Sequence, residues 1–105
     1  MREDALMSQR VKVIIIHEKD NVATALVPLA AGSSLLVDVG GNAERVRIIG
    51  DIPVGHKVAL RPIGAGENVV KYGEPIGQAS TVIAAGEHVH VHNVTSHGVK
   101  AGGGA

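Results

Sequence analysis

Three histidines alternate with two valines in the segment GEHVHVHN at 86–93. Imidazole has an ordinary pKa close to neutrality, and its nitrogen atoms are common metal ligands. On a strand the two valines would face the core and the three histidines the other side, with neighbouring histidines roughly 7 Å apart at Cα. Only one pair could then ligate an ion. The pattern leaves three readings open: a metal site at one pair (His88 with His90, or His90 with His92), proton transfer or substrate hydrogen bonding, or an ordinary solvated strand face.

Other polar side chains lie in or beside predicted strands. His17 and His56 each occupy a junction between a strand and a turn, and Lys57 follows His56 directly. Lys71 lies in an otherwise apolar segment beside Tyr72, the only aromatic residue. A lysine in such a strand either extends its stem over the core or meets an anion, and a carboxylate would suit both lysines. Because neighbouring strand residues face opposite ways, only one member of each pair should face a given cleft unless a bulge intervenes.

The elements that position these residues are predicted to be short strands joined by glycine turns. Valine and isoleucine dominate the apolar residues, which favours pleated structure. Four times an aliphatic residue stands three positions before a glycine, which predicts a turn that leads into a strand. The four segments are LAAG (29–32), IPVG (52–55), IGAG (63–66) and IAAG (83–86).

We expect one domain over 11–95, with a flexible arm at 1–10 and a flexible tail at 96–105. The segment at 22–29 is ambiguous by periodicity, and we interpret it as a short helical turn that leads into a strand. Glu67, Glu74 and Glu87, together with Asp20, are interpreted as turn carboxylates without a catalytic role.

Composition argues against several classes of function. The formal net charge is zero and the basic residues are scattered, which argues against nucleic acid as a partner. No apolar run is long enough to cross a membrane, and no secretory signal is recognisable, so a cytoplasmic location is expected. The glycine-rich segment at 64–77 lacks the spacing of a dinucleotide or phosphate loop.

Four segments together have a more specific pattern: HEKDNVATAL (17–26), DIPVGHKVAL (51–60), GENVVKYGEPIGQA (66–79) and IAAGEHVHVHN (83–93). In order and spacing they resemble the small N-terminal domain of the altronate and galactarate dehydratase family. The resemblance implies an all-β, SAF-type domain with the compact β-clip fold. Such domains occur either fused ahead of a large catalytic domain or as a separate small subunit, as in (2R)-sulfolactate sulfo-lyase. The chain is therefore expected to be a free-standing small subunit or a fragment of a longer enzyme.

The resemblance also implies an activity, namely β-elimination of water from a hydroxy acid. The chain would be a carbon–oxygen lyase subunit that is inactive without a large catalytic partner. It would use a divalent metal, expected to be Fe²⁺, held mainly by the partner or at the interface. Two alternatives stay open: the small subunit of a sulfolactate sulfo-lyase that releases sulfite, and a non-catalytic ligand-binding module.

The residues chosen for these roles follow from the resemblance and from their types. The candidates are His17, His56 and Lys57 for catalysis, Asn21, Lys71 and Tyr72 for substrate binding, and His88 and His90 for metal. The partners expected are the large subunit and a small hydroxy acid. An exposed apolar docking face could also let the isolated chain form a homo-oligomer.

Overall fold

The computed structural model describes residues 12–39 and 41–96, which form nine short β-strands. The strands are β1 (Val13–Ile14), β2 (Val22–Ala25), β3 (Ser34–Val39), β4 (Asn42–Arg47), β5 (Lys57–Ala59), β6 (Asn68–Lys71), β7 (Glu74–Ala79), β8 (His88–Val89) and β9 (Val94–Thr95). The expected arm at 1–10 and the expected tail at 96–105, apart from Ser96, lie outside the described residues.

The strands form three small antiparallel sheets. β1, β2, β5 and β8 make a four-stranded sheet in that order, β3 and β4 pair as a hairpin, and β6, β7 and β9 form the third sheet. The predicted all-β class is therefore confirmed. Within the described part of the chain there is no helix long and apolar enough to cross a membrane.

The four repeated turns pair with one another, two by two. Leu29 pairs with Ile52 and Ile63 with Ile83, each through two backbone hydrogen bonds of 2.8–2.9 Å. The glycine that ends each repeat has a φ between 84° and 90°, where a side chain is disfavoured. These turns confirm the prediction made from the aliphatic–glycine spacing, because the aliphatic residue is buried at all four positions.

The core consists of two clusters of small aliphatic side chains. The first includes Ile48, Ile52 and Val58, and the second includes Val69 and Val89. The sheet of β2, β5 and β8 lies between them, since Ala23 and Val58 contribute to the first cluster while Val22 and Ala59 contribute to the second. A core without Phe or Trp is filled by many small contacts on both faces of this sheet.

The prediction of a short helical turn within 22–29 is wrong. β2 is a strand that pairs with β1 on one side and β5 on the other. Val22, Ala23 and Ala25 are all buried. A central strand covered on both faces has a continuous apolar sequence, which is why its periodicity resembled that of a buried helical segment.

Candidate functional site

Three imidazoles meet where β5 begins and β8 ends. His56 immediately precedes β5, His88 opens β8, and His90 follows that strand. Because His88 is the register partner of Val58, it lies beside the start of β5. His56 Nδ1 is 2.8 Å from His88 Nε2, a hydrogen bond in which one ring donates and the other accepts. We call His56, His88 and His90 the imidazole group.

A buried asparagine folds the segment back after β8. Asn93 is 1% exposed; its Oδ1 accepts a hydrogen bond from the His90 backbone N–H at 2.9 Å, and its Nδ2 donates to the His88 carbonyl at 2.9 Å. The segment at 88–93 is therefore a two-residue strand followed by a turn, and not one extended strand. Val89 is buried as expected, but Val91 is 82% exposed because it lies in this turn.

The turn brings the histidine rings closer than a straight strand would allow. The His56 and His90 rings stack with centroids 3.8 Å apart, and the His88 and His92 centroids are 5.0 Å apart. Asn93 is the residue that sequence reasoning missed. The available signal was an asparagine at the end of the histidine repeat, a residue type that favours turns.

The surroundings of His88 and His90 favour neutral rings. Burial lowers the pKa of His88, and so do the nearby imidazoles of His92, His56 and His90. Partial desolvation also lowers the pKa of His90, followed by repulsion from His56, Lys57 and His92. Lowered pKa values leave both rings unprotonated at neutral pH, the form that can accept a proton or bind a metal.

The donor set of the imidazole group fits a divalent metal. One ring nitrogen from each of the three residues lies within 4.8 Å of the other two. Nitrogen ligands of a tetrahedral ion are about 3.4 Å apart at bond lengths near 2.1 Å, so the 2.8 Å contact would have to open. The stacked rings would also have to rotate to converge on one point. All three residues are partly exposed, which leaves room for that rotation.

A cavity of about 310 Å³ adjoins His90. It is lined by Lys57 and by apolar side chains of the four-stranded sheet and of the β6–β7–β9 sheet. Lys57 pairs in register with Val89 and with Thr24, so these three side chains share one face of the sheet. Thr24 Oγ1 is buried without a hydrogen-bond partner among the described residues. A larger cavity of about 910 Å³ lies between β1 and the β3–β4 hairpin, and no histidine lines it. The smaller cavity is therefore the better candidate for chemistry.

The remaining candidates form a second group at the tip of the β6–β7 hairpin. Tyr72 and Gly73 make the two-residue turn, with φ values of 62° and 74°. Lys71 Nζ lies 4.3 Å from the centroid of the Tyr72 ring. The His17 ring packs against Gly73 so closely that a Cβ there would be 2.8 Å from His17 Cδ2. We call His17, Lys71 and Tyr72 the hairpin-tip group.

Lys71 and Tyr72 contact each other although they are neighbours in sequence. Both side chains meet because Tyr72 belongs to the turn and has a left-handed backbone conformation, so strand alternation ends at Lys71. His56 and Lys57 do follow the expected alternation in part. His56 joins the other imidazoles, whereas Lys57 lines the cavity beside His90.

Asn21 supports the hairpin from behind. Its Nδ2 donates to the Asn68 carbonyl at 2.9 Å, and its Oδ1 accepts from the Val70 N–H at 2.7 Å. The side chain therefore ties the start of β2 to β6. One amide hydrogen stays available for a ligand.

Asp20 also holds the hairpin tip, a role that sequence reasoning did not assign. Its buried carboxylate accepts hydrogen bonds from the Gly73 N–H at 2.7 Å and from the His17 N–H at 3.1 Å. Burial opposes ionisation of Asp20, but hydrogen bonds from the backbone at Gly73, Tyr72, His17 and Ile16 outweigh it and lower its pKa.

The two groups lie near opposite ends of β2. The Ala25 N–H donates to the His56 carbonyl at one end, while Asn21 contacts β6 at the other. Asn21 and Ala25 are four positions apart along the strand, a span of about 13 Å. The structure thus brings the sequence candidates together in two clusters rather than in one.

The sequence is similar to that of known proteins over most of its length. Residues 11–97 match the family model described as "Altronate/galactarate dehydratase SAF domain". The chain is 49% identical to altronate dehydratase of Escherichia coli (strain K12) over 84 residues, which is 80% of this chain and 16% of the relative. It is 54% identical over 84 residues to (2R)-sulfolactate sulfo-lyase subunit alpha of Chromohalobacter salexigens, covering 76% of this chain and 89% of that subunit.

A second altronate dehydratase, from Bacillus subtilis (strain 168), is 42% identical over 84 residues, again 80% of this chain and 16% of the relative. The chain thus spans about a sixth of the length of the dehydratases that it matches, but most of the length of the sulfo-lyase subunit. From the family match over most of its length, the chain belongs to the SAF domain family of the altronate and galactarate dehydratases.

Proposed function

We propose that the chain is the SAF domain or small subunit of a sugar-acid dehydratase and supplies part of the centre where water is eliminated from a hydroxy acid. The observation that carries the proposal is the meeting of three imidazoles, with ring nitrogens within 4.8 Å, beside a cavity that Lys57 also lines. Relatives named as altronate and galactarate dehydratases support this choice of substrate class.

The imidazole group is proposed to hold a divalent metal, with Fe²⁺ as our choice. His88 and His90 would supply neutral nitrogens, because their lowered pKa values remove the competing proton. His56 is placed to supply the third. Imidazole suits several first-row metals, iron and zinc among them. A bound ion would supply Lewis acidity that stabilises the charge developing on the substrate carboxylate.

Lys57 is proposed to hold the substrate carboxylate in the cavity beside His90. β-Elimination removes a proton from the carbon next to the carboxylate, so negative charge grows on the carboxylate oxygens as that bond breaks. An ammonium group aimed at this charge stabilises the transition state more than the ground state. Because an imidazole nitrogen that binds metal cannot also accept a proton, the base is proposed to come from the partner.

A large catalytic partner is proposed because the domain occurs in relatives of two kinds. It is 16% of the altronate dehydratases, whereas it makes up 89% of a protein named as a subunit alpha. We therefore propose that the domain accompanies a catalytic body either within one chain or as a separate chain. Alone, this chain is expected to be inactive.

The test is an elimination assay with the chain combined with a large dehydratase chain. Altronate and galactarate are supplied, and formation of the 2-oxo acid is followed. Lys57→Met should lower kcat/KM about 100-fold, since loss of one preorganised donor to a developing oxyanion has an effect of that order. The control is Lys19→Met, because Lys19 is exposed and lies outside both groups. Undiminished activity of the large chain when this chain is omitted would contradict the proposal.

A sulfolactate sulfo-lyase is the second candidate. It is favoured by the 54% identity that extends over 89% of the subunit alpha from Chromohalobacter salexigens. The same assay separates the two, because sulfite release from (2R)-sulfolactate, without turnover of altronate or galactarate, selects the second. A purely ligand-binding module would catalyse neither reaction with any large chain.

A further inference from the structure

Lys71 is a largely buried residue whose ammonium has no anionic partner among residues 12–39 and 41–96. Its side chain is 8% exposed, and no ion pair or side-chain hydrogen bond joins it to another described residue. Its ammonium lies 4.3 Å from the centroid of the Tyr72 ring. The ring face attracts a cation but accepts no conventional hydrogen bond, so the three N–H donors of Lys71 remain available.

The carboxylates nearest in the fold are directed elsewhere. Glu74 is the register partner of Lys71 across the hairpin, yet it is exposed and forms no ion pair with it. Asp20 is buried behind the turn, where backbone N–H groups of His17 and Gly73 satisfy its oxygens. The ammonium of Lys71 thus reaches solvent on a buried stem without a counter-ion, and an anion could bind it there as a point charge.

Two more donors belong to the same hairpin tip. His17 Nδ1 accepts a hydrogen bond from the Lys19 N–H at 3.0 Å, so a neutral His17 carries its proton on Nε2. That Nε2 lies against Gly73, where an added Cβ would be 3.1 Å away. Tyr72 is 58% exposed and offers its hydroxyl at the same tip. Ammonium, imidazole N–H and phenol hydroxyl are a donor set that suits an anion.

The backbone at this tip is also in an unfavourable conformation. Tyr72 has a φ of 62°, the only positive φ of a non-glycine residue among those described. An aromatic residue in the left-handed region is uncommon, and such positions concentrate at functional sites. The hydrogen bond from the Gly73 N–H to Asp20 helps to hold this turn in place.

We infer that the hairpin-tip group is a second binding site, for the carboxylate group of a small free acid. It lies near the opposite end of β2 from the imidazole group and depends on neither the metal nor the elimination chemistry. A small acid is the occupant we favour because Lys71 is recessed, and because the relatives found are named for acids that they act on.

The test is a titration of the whole chain with sodium acetate, followed by backbone amide NMR at constant ionic strength. Acetate carries one carboxylate and no hydroxyl, so it probes this site without being a dehydratase substrate. Saturable shifts are expected at the amides of His17, Tyr72 and Gly73, with half-saturation in the millimolar range. Lys71→Met should weaken binding at least tenfold, and Tyr72→Phe should weaken it less. Lys19→Met, which removes a nearby exposed lysine, should leave it unchanged.

The outcomes separate the occupants and the two proposals. Shifts that stay linear to about 100 mM acetate, a range in which millimolar sites saturate, would overturn the inference. So would equal binding by Lys71→Met, or saturable shifts confined to His56, His88 and His90. If only addition of the large chain suppresses the acetate-induced shifts, the occupant is a carboxylate of that partner. This result would also overturn the free-acid site. Failure of the elimination assay leaves this result unaffected, because acetate binding needs no catalysis.

Discussion

Single residues decide what each group can do. Their types were easier to predict from the sequence than the side chains that they contact. The histidines and lysines chosen from the sequence do lie at strand ends and turns. Sequence reasoning could not show that Asn93 would fold His90 and His92 back, or that His56 would stack on His90. The first contact depends on the local backbone of a turn and the second joins strands far apart in sequence, and side-chain type alone encodes neither.

Asp20 provides a prediction at this scale. Its pKa is lowered below the ordinary value of 3.8. The unfolded chain therefore binds this proton at a higher pH than the folded chain does, and the stabilisation by Asp20 is complete above that value and lost as the pH falls through the folded pKa. Asp20→Asn should lower the free energy of unfolding at pH 7 by about 1–3 kcal/mol and flatten its dependence on pH below about pH 4.

Urea unfolding at a series of pH values measures this effect. Glu18→Gln is the control, because this substitution also removes one carboxylate from the same turn, but Glu18 is exposed. Wild-type and Asp20→Asn curves that run parallel through the acid range would show that the carboxylate charge is not what holds the hairpin tip.

Turns are the elements on which the fold depends, and the sequence predicted most of them. The aliphatic–glycine repeats gave four turns correctly because each glycine needs a positive φ. The same reasoning missed β7 and β9, whose short segments contain proline and glycine or are only two residues long. Pairing with neighbours, rather than intrinsic propensity, makes these residues strands.

Three glycine substitutions should separate conformation from crowding. Gly86→Ala would place a Cβ against the Arg47 carbonyl oxygen, a backbone atom that cannot move aside, and should cost more than 2 kcal/mol or prevent folding. Gly55→Ala meets no atom within 4 Å but has a φ of 88°, so about 1 kcal/mol is expected. Gly50→Ala has neither problem and should be neutral or slightly stabilising.

Thermal and denaturant unfolding of the three variants tests this order. Equal losses at Gly55 and Gly86 would mean that backbone conformation alone matters, and that β4 and the turn before β8 do not approach as closely as described.

The hairpin tip allows a double-mutant cycle. Tyr72→Asn creates Asn-Gly, the pair most favoured in two-residue hairpin turns, and should relieve about 1 kcal/mol of backbone strain. In the wild type this gain is offset by loss of the contact between Lys71 and the Tyr72 ring, worth about 0.5–2 kcal/mol. In the Lys71→Met background the gain should therefore be larger. Equal effects in both backgrounds, measured by urea unfolding, would rule out a stabilising ring–ammonium contact.

The whole molecule was recognisable from four motifs in a fixed order, and the all-β class and family follow from them. The separation of the functional residues into two groups was not predictable, because it depends on how β2 connects β5 to β6. The domain holds the imidazole group at one end of this strand and the hairpin-tip group at the other. A catalytic body that docks on it could thus contact chemically different groups on one small scaffold.

The most direct measurement of the central claim is the metal stoichiometry of the imidazole group, with Co²⁺ as a spectroscopic probe of a divalent site. Absorption titration at neutral pH should give one Co²⁺ per chain. Binding should be lost in the double variant His88→Gln with His90→Gln and retained in His17→Gln, which alters only the hairpin tip. Binding of one Co²⁺ with undiminished affinity by the double variant would contradict the account.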